Sequence, residues 1–219
     1  MQGRLKMEKT ELKERPIIMG AESVRAILEG RKTVTRRVVT GNALKMLTIC
    51  TPEVVARDLS PWQVGDRLWV KESFTPIPQD VYPKKDGTNT WGIQYSDYSV
   101  RYGFVAPAGY NPMLYNYERM SSPLFMPRWA SRINLEVVSR RIERLQDITE
   151  EDAILEGISG DFAYECNGWV PSYTDPDSGG SADYIAAYRT LWDSLNAKRG
   201  YPWESNPWVW VVSFKVVKV

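Results

Sequence analysis

A basic, hydroxyl-rich stretch holds the densest cluster of reactive side chains in this chain. Glu29–Arg37 reads Glu-Gly-Arg-Lys-Thr-Val-Thr-Arg-Arg, so an amine, two hydroxyls and three guanidinium groups are close in sequence. If the fold brings them to one volume, they suit a phosphate, a carboxylate or a polar nucleobase. The alternative is a solvated strand end, because charged side chains commonly protect edge strands.

The local pattern places this stretch between a helix and a strand. Val24, Ile27 and Leu28 are spaced for one helical face, which predicts a helix over 21–30 that Gly30 ends. The β-branched residues that follow predict a strand. The turn after Gly30 could rotate Lys32 back toward Thr35. Strand alternation predicts two faces: Arg31, Thr33, Thr35 and Arg37 on one, and Lys32, Val34 and Arg36 on the other.

Two positions further along the chain could contribute to a site. Glu156 lies in the last turn of a predicted helix over 148–157, where the helix dipole disfavours a carboxylate. An exposed glutamate is the default interpretation, and a function is the alternative. Arg128 and Trp129 precede a long strand. They either face a ligand or form a proline-ordered turn with a buried tryptophan.

Composition excludes several functional classes. The chain has no histidine, which excludes histidine-based triads and histidine zinc sites. Its two cysteines do not indicate a disulfide framework or a metal site, and we expect no metal or other cofactor. A net charge of +1 means that nucleic-acid binding would need a local basic patch. No signal peptide or membrane span is visible, so we expect a cytoplasmic protein without a membrane partner.

The order of predicted elements indicates an α+β fold in which short strands form a small β-barrel with flanking helices. A hairpin is predicted across Ser96–Asp97, and a bulge in a long strand near Val137–Val138. The aromatic segment 75–123 either packs as a subdomain or stacks bases. We predict a flexible N-terminal arm over 1–14 and a single domain over 15–219, with long insertions at about 42–60, 75–123 and 159–181.

Four motifs together resemble the ASCH domain family. They are Gly30-Arg-Lys-Thr-x-Thr-x-Arg37, Gly65-Asp-Arg-Leu, the helix from Thr149 to Glu156 and a terminal Trp-Val-Val-x-Phe strand. Two further stretches, 126–133 and 191–196, resemble the phage- and prophage-associated branch of that family. The resemblance implies a PUA-like β-barrel with the insertions named above. It also implies a location in the host cytoplasm if a phage encodes the protein.

The resemblance also implies a function. PUA-like folds generally bind RNA or modified bases, and a small bacterial ASCH member is an N4-acetylcytidine amidohydrolase that uses a lysine, a threonine and a glutamate. Lys32, Thr35 and Glu156 match those catalytic residues, and Arg37 matches the arginine that follows. Ligand-binding residues would be Arg31, Arg36, Arg37, Arg128 and Trp129.

Three hypotheses follow from these motifs. The first is binding of RNA or a modified nucleobase or nucleoside, with DNA as a further potential ligand. The second is deacylation of an N4-acetylcytidine-type nucleoside. The third is a phage accessory protein whose pocket is vestigial and whose segment 75–123 carries a protein interface.

Overall fold

The computed structural model describes residues 13–78, 90–106, 120–159, 169–170 and 181–217. Strands and helices are mixed along these residues, as expected for an α+β protein. The strands are β1 (Glu14–Ile18), β2 (Val34–Val38), β3 (Arg67–Lys71), β4 (Phe74–Pro78), β5 (Thr90–Tyr95), β6 (Val100–Val105), β7 (Asn134–Arg144), β8 (Trp169–Val170), β9 (Ser181–Ala182) and β10 (Trp208–Val217). The helices are α1 (Ala21–Leu28), α2 (Gly41–Met46), α3 (Pro52–Leu59), α4 (Glu150–Leu155) and α5 (Tyr184–Asn196). Among the helices in these ranges, none has the length and apolar character needed to cross a membrane.

The main sheet has five strands in the order β1-β3-β7-β10-β2. β1 and β3 are parallel, and the other neighbours are antiparallel. β1 and β2 are the edges and are not paired with each other, so the expected closure into a barrel is not confirmed. A side chain spans the gap between these edges instead, because Arg37 of β2 donates from Nη2 to the Ile18 carbonyl oxygen at 2.6 Å.

The long strand β7 contains the predicted bulge. Ser139 pairs with Ser213 of β10 and Val137 pairs with Phe214, so Val138 has no opposite residue. An extra residue in one strand increases the local twist of the pair. The prediction of a bulge near Val137–Val138 is therefore confirmed.

β10 is buried on both faces and separates two hydrophobic cores. Trp210, Val212 and Phe214 belong to the core that contains α1 residues. Val209 and Val211 belong to the core that contains α5 residues. A continuous apolar run is expected where both faces of a strand are covered.

The segment 42–60 is more regular than its sequence pattern indicated. The sequence predicts only an insertion here, and the structure has two helices, α2 and α3. α3 begins at Pro52, a residue whose fixed φ suits the first helical position. Val55 and Ala56 of α3 and Ala43 of α2 are buried in the same core as α1. This burial, which depends on contacts distant in sequence, supplies the stability that local periodicity did not reveal.

A second sheet, β4-β5-β6, contains the predicted hairpin. β5 and β6 are antiparallel and are joined by a turn at Ser96–Ser99. Ile93 and Tyr95 are fully buried against Phe74, Met126 and Ala130, which supports the packing interpretation for this part of the segment. Other aromatic residues of the segment 75–123 lie outside the described residues, namely Tyr110, Tyr115 and Tyr117.

A buried ion pair connects the two sheets. Glu72, in the link between β3 and β4, accepts hydrogen bonds from Arg132 Nε and Nη2, both at 2.9 Å. Arg132 also lies over the Tyr95 ring, 4.0 Å from its centroid. Two parallel hydrogen bonds to a carboxylate fix orientation as well as distance. The pair therefore fixes the second sheet relative to the first.

Candidate functional site

The turn after α1 positions Lys32. Gly30 takes a left-handed backbone, with φ of +77°, at the end of the helix. The amide groups of Arg31 and Lys32 then donate to the same acceptor, the Ala26 carbonyl oxygen, at 2.9 and 3.0 Å. The chain is folded back on α1 before β2 begins. Lys32 consequently points inward and is only 3% exposed.

Helix α4 brings Glu156 to Lys32. The helix begins at the Thr149 cap, whose hydroxyl oxygen accepts from the Asp152 amide at 3.1 Å. It ends at Gly157, which has a φ of +97°. A Cβ atom on Gly157 would lie 2.8 Å from Ala26 Cβ and 3.1 Å from Lys32 Cβ. Only glycine therefore allows the end of α4 to approach the turn so closely.

Lys32 and Glu156 form a buried ion pair. Lys32 Nζ lies 2.5 Å from Glu156 Oε2 and donates to the Glu156 carbonyl oxygen at 2.7 Å. The other carboxylate oxygen, Oε1, lies 3.3 Å from Arg36 Nη1 and 3.5 Å from the Tyr188 hydroxyl. Both carboxylate oxygens thus have hydrogen-bond donors, as a buried charge requires.

Arg36 belongs to a larger network of charges. Its side chain is fully buried, and its Nη2 lies 2.7 Å from both Glu143 and Asp152. Arg141 also donates to Asp152, at 2.7 Å. Arg36 therefore touches three carboxylates, including that of Glu156, and orients Glu156 from the side opposite Lys32.

Burial and neighbouring charge shift the pKa values of this network in different directions. Burial lowers the pKa of Lys32, against the opposing effect of the Glu156 carboxylate. Burial also opposes the charge of Arg36, but Glu156, Tyr188 and Glu143 together raise its pKa. Burial, with the Glu156 charge beside it, raises the pKa of Tyr188. Arg36 thus stays a cation and Tyr188 a neutral donor, while the lysine proton is easier to remove than usual.

The ion pair borders an open cavity of about 510 Å³. The cavity lies at the gap between β1 and β2, and its far wall is α5 with the residues that follow it. Thr35 is 4% exposed and faces the same cavity. Its hydroxyl makes no hydrogen bond with another described residue, so it can meet a ligand. Aromatic and apolar side chains complete the wall: Tyr188, Leu191, Trp192, Leu195 and Tyr201.

The cavity brings together five of the eight residues that the sequence singled out: Lys32, Thr35, Arg36, Arg37 and Glu156. Strand alternation predicted that Lys32 and Thr35 lie on opposite faces. Lys32 precedes β2, however, so the turn after Gly30 sets the direction of its side chain and brings it to the same cavity as Thr35. Arg31 lies outside this cavity. It pairs with Glu29, donates to the Gly157 carbonyl oxygen at 2.6 Å and borders a separate cavity of about 40 Å³.

Arg128 and Trp129 border neither cavity. Arg128 pairs with Glu14 at 2.5 Å and lies over the Trp69 ring, 5.8 Å from its centroid. Trp129 packs 6.2 Å from the Phe104 ring. Both belong to a short 3-10 helix, Arg128–Ala130, that follows Pro127. The structure places them in a proline-ordered turn, which is the alternative left open by the sequence.

Several residues of the site had no recognised signal in the sequence. Tyr188 lies in an apolar, helically spaced stripe of α5, a pattern that indicates core rather than a ligand site. Glu143 and Asp152 reach Arg36 across 107 and 116 positions of sequence. Arg199 lines the cavity just after α5. Among the described residues, no group of three or more His, Cys, Asp or Glu side chains is arranged to hold a metal ion.

The lowered pKa of Lys32 predicts a pH dependence of stability. Between that lowered value and the ordinary 10.5, the unfolded chain binds more protons at Lys32 than the folded chain does. The contribution of Lys32 to the free energy of unfolding therefore rises with pH through this window. Urea denaturation at pH values that rise from about 7 toward 10.5 should show the wild type gaining stability relative to Lys32→Met. Lys45→Met, at an exposed lysine of α2, is the control, and a pH-independent difference for Lys32→Met would contradict the expectation.

Comparisons with known proteins find two distant structural likenesses. No protein-family model matches the chain. No curated protein matches it either. An ASCH domain from Lactobacillus crispatus JV V101 has 12% identity and a TM-score of 0.39, over 93% of this chain and 79% of that one. A protein from Enterococcus faecalis V583 with the family model DUF984 has 10% identity and a TM-score of 0.38, over 94% of this chain and 76% of that one. At these scores no family membership follows.

Proposed function

We propose that the cavity binds a nucleobase or nucleoside, either free or within RNA. The observation that carries this proposal is the meeting of Lys32, Thr35 and Arg37 in one cavity with Glu156, which is 124 positions from Lys32 in the sequence. A volume of about 510 Å³ lies within the range of roughly 300–1,000 Å³ that is usual for small-molecule sites. The resemblance of the Gly-Arg-Lys-Thr-x-Thr motif to the ASCH family supports the same ligand class.

The wall chemistry suits a flat, polar ring. Tyr188 and Trp192 present aromatic surface to the cavity, and bases are commonly held against aromatic side chains. The Thr35 hydroxyl can donate or accept a hydrogen bond, and the Arg37 guanidinium can donate to a ring or exocyclic oxygen. A site with polar groups at one end and apolar surface around them fixes the orientation of its ligand.

Because the net charge is only +1, attraction for RNA would need a local basic patch, and the arginines of this cavity could supply one. RNA binding through local cations would weaken with added salt. A requirement for the 2′-hydroxyl would separate RNA from DNA. The third hypothesis, a phage accessory protein with an interface on segment 75–123, stays a prediction, since much of that segment lies outside the described residues.

Calorimetric titration with cytidine and N4-acetylcytidine tests the binding proposal. Thr35→Val keeps the shape of the side chain but removes its hydroxyl, and we expect at least one of these ligands to bind about tenfold more weakly. Thr190→Val is the matched control, because Thr190 lies exposed on α5 outside the cavity. Equal affinities for wild type and Thr35→Val, or equal losses for the two variants, would contradict the proposal.

A specific observation favours a second function, hydrolysis of an amide on the bound ligand. Lys32 combines a lowered pKa with contact to a carboxylate and a position beside the cavity. Such tuning by burial is how a lysine becomes a general base near neutral pH. Pure binding gives no reason to bury this pair, because burial of two charges costs desolvation free energy.

With an N4-acyl cytidine as the substrate, each of these residues has a role in the hydrolysis. Neutral Lys32 takes a proton from the Thr35 hydroxyl, and the hydroxyl oxygen bonds to the acyl carbon. Arg37 stabilises the negative oxygen that forms on that carbon. The carbon–nitrogen bond then breaks, and Glu156 relays the proton to the leaving amine. Water hydrolyses the threonine ester in a second step. In a one-step alternative Lys32 activates water directly, and Thr35 only positions the acyl group.

Chromatographic detection of cytidine released from N4-acetylcytidine tests this second function. Lys32→Met should lower turnover by about 100-fold or more, as expected for loss of a general base. If Thr35 is the nucleophile, Thr35→Ser should retain activity and Thr35→Val should lose it. Turnover by Thr35→Val at a rate close to that of the wild type would instead indicate that Lys32 activates water. Turnover by Lys32→Met at the wild-type rate would contradict the mechanism. If the wild type binds the nucleoside but releases no cytidine, only the binding function stands.

A further inference from the structure

Two guanidinium groups of the cavity have no carboxylate partner among the described residues. They belong to Arg37 on β2 and Arg199 just after α5, and both line the cavity. The third arginine that lines this cavity, Arg36, is paired with three carboxylates. The cavity therefore keeps an excess of positive charge beyond the ion pair of Lys32 with Glu156.

The contacts of Arg37 leave part of its donor capacity unused. Its Nη2 donates to the Ile18 carbonyl oxygen at 2.6 Å and approaches Met19 Sδ at 3.4 Å. Its buried Nε has no hydrogen-bond partner. A buried donor without a partner is rare in proteins and calls for an explanation. The side chain is thus anchored to the end of β1, and no carboxylate of a described residue forms an ion pair with it.

Arg199 brings a second positive charge to the same place. Its Nη1 donates to Asn196 Oδ1 at 3.2 Å, which holds the exposed guanidinium beside the cavity. Burial lowers the pKa of Arg37 against the opposing effect of Glu156 and Tyr188, and the charge of Arg199 adds to the lowering, so the two cations sense each other. Two guanidinium groups that line one cavity and have no bonded carboxylate can share an anion between them.

The beginning of α1 adds to this arrangement. Gly20 and Ser23 line the cavity, and Gly20 is the N-cap of α1, with no side-chain hydrogen bond to the first turn. The exposed Glu22 carboxylate in that turn pairs with Arg25 and does not line this cavity. Uncapped amides and the positive end of the helix dipole both favour an anion.

We propose that Arg37 and Arg199, supported by the N-terminus of α1, form a phosphate subsite of this cavity. This inference rests on the proposed nucleobase binding, not on the hydrolysis, and narrows the ligand to a nucleotide. The phosphate then binds Arg37 and Arg199, so that Arg37 contacts the phosphate in place of an oxygen of the base, while the base reaches Thr35. Guanidinium groups match the oxygens of a phosphate in pairs. A free nucleoside monophosphate and a phosphodiester chain present the same phosphate chemistry to this subsite.

Calorimetric titration with ligands that differ only by a phosphate tests the subsite. The pairs are cytidine with cytidine 5′-monophosphate, and ribose with ribose 5-phosphate. We expect the phosphate to strengthen wild-type binding by about tenfold or more within at least one pair. Arg199→Gln and Arg37→Gln should each remove most of that gain, and Arg199→Gln should leave the affinity for cytidine unchanged. Arg57→Gln is the control for loss of one exposed arginine away from the cavity.

The outcomes separate this proposal from the proposed function. A gain for ribose 5-phosphate without any binding of cytidine would support the subsite and count against the nucleobase. Binding of cytidine with no gain from phosphate would overturn the subsite and leave the nucleobase function standing. A gain in affinity from the phosphate that persists in both Arg199→Gln and Arg37→Gln would also overturn the phosphate subsite. A dinucleotide joined by a phosphodiester, if it binds as tightly as the monophosphate, would support the subsite and identify a chain as its ligand.

Discussion

The buried contact of Glu156 with Lys32 and Arg36 is the constraint on which the site depends. It requires the turn after α1, strand β2 and the end of α4 to meet within hydrogen-bond distance. Removing one partner of such a contact typically costs about 3–5 kcal/mol, because the charges that remain are buried and unpaired. Apolar residues of similar volume would often be at least as stable. The charged set is therefore better explained by the chemistry of the cavity than by the stability of the fold.

The architecture creates the cavity where the main sheet fails to close. β1 and β2 are adjacent through α1 in the chain but occupy opposite edges of the sheet. Residues from the end of β1 and from β2 line one side of the opening, and α5 lines the other. Arg37 crosses the gap by a side-chain contact to Ile18, which keeps the edges near each other without a backbone ladder. An opening of this kind gives a ligand access to a buried charge while the rest of the sheet stays packed.

Features set by neighbouring residues were predictable from the sequence, and those set by distant ones were not. The helix before Gly30, the helix that begins after Thr149 and the bulge at Val138 each follow from a few adjacent residues, and all three are present. The two helices over 41–59 and the partners of Arg36 depend on packing and pairing across the chain. Arg128 shows the same limit of local sequence information. Its charge and its position before β7 were equally consistent with a ligand contact and with an ion pair, and the structure shows a pair with Glu14. The open sheet also depends on which strands pair, and local periodicity carries no information about that.

The central claim is that the Lys32–Glu156 pair forms the wall of a nucleobase site. A crystal structure of the protein soaked with N4-acetylcytidine or cytidine 5′-monophosphate tests it most directly. The claim predicts electron density for the base beside Thr35 and Glu156, with the ring against Tyr188 or Trp192. Density for the ligand only at another surface, with this cavity holding solvent at saturating concentration, would contradict it.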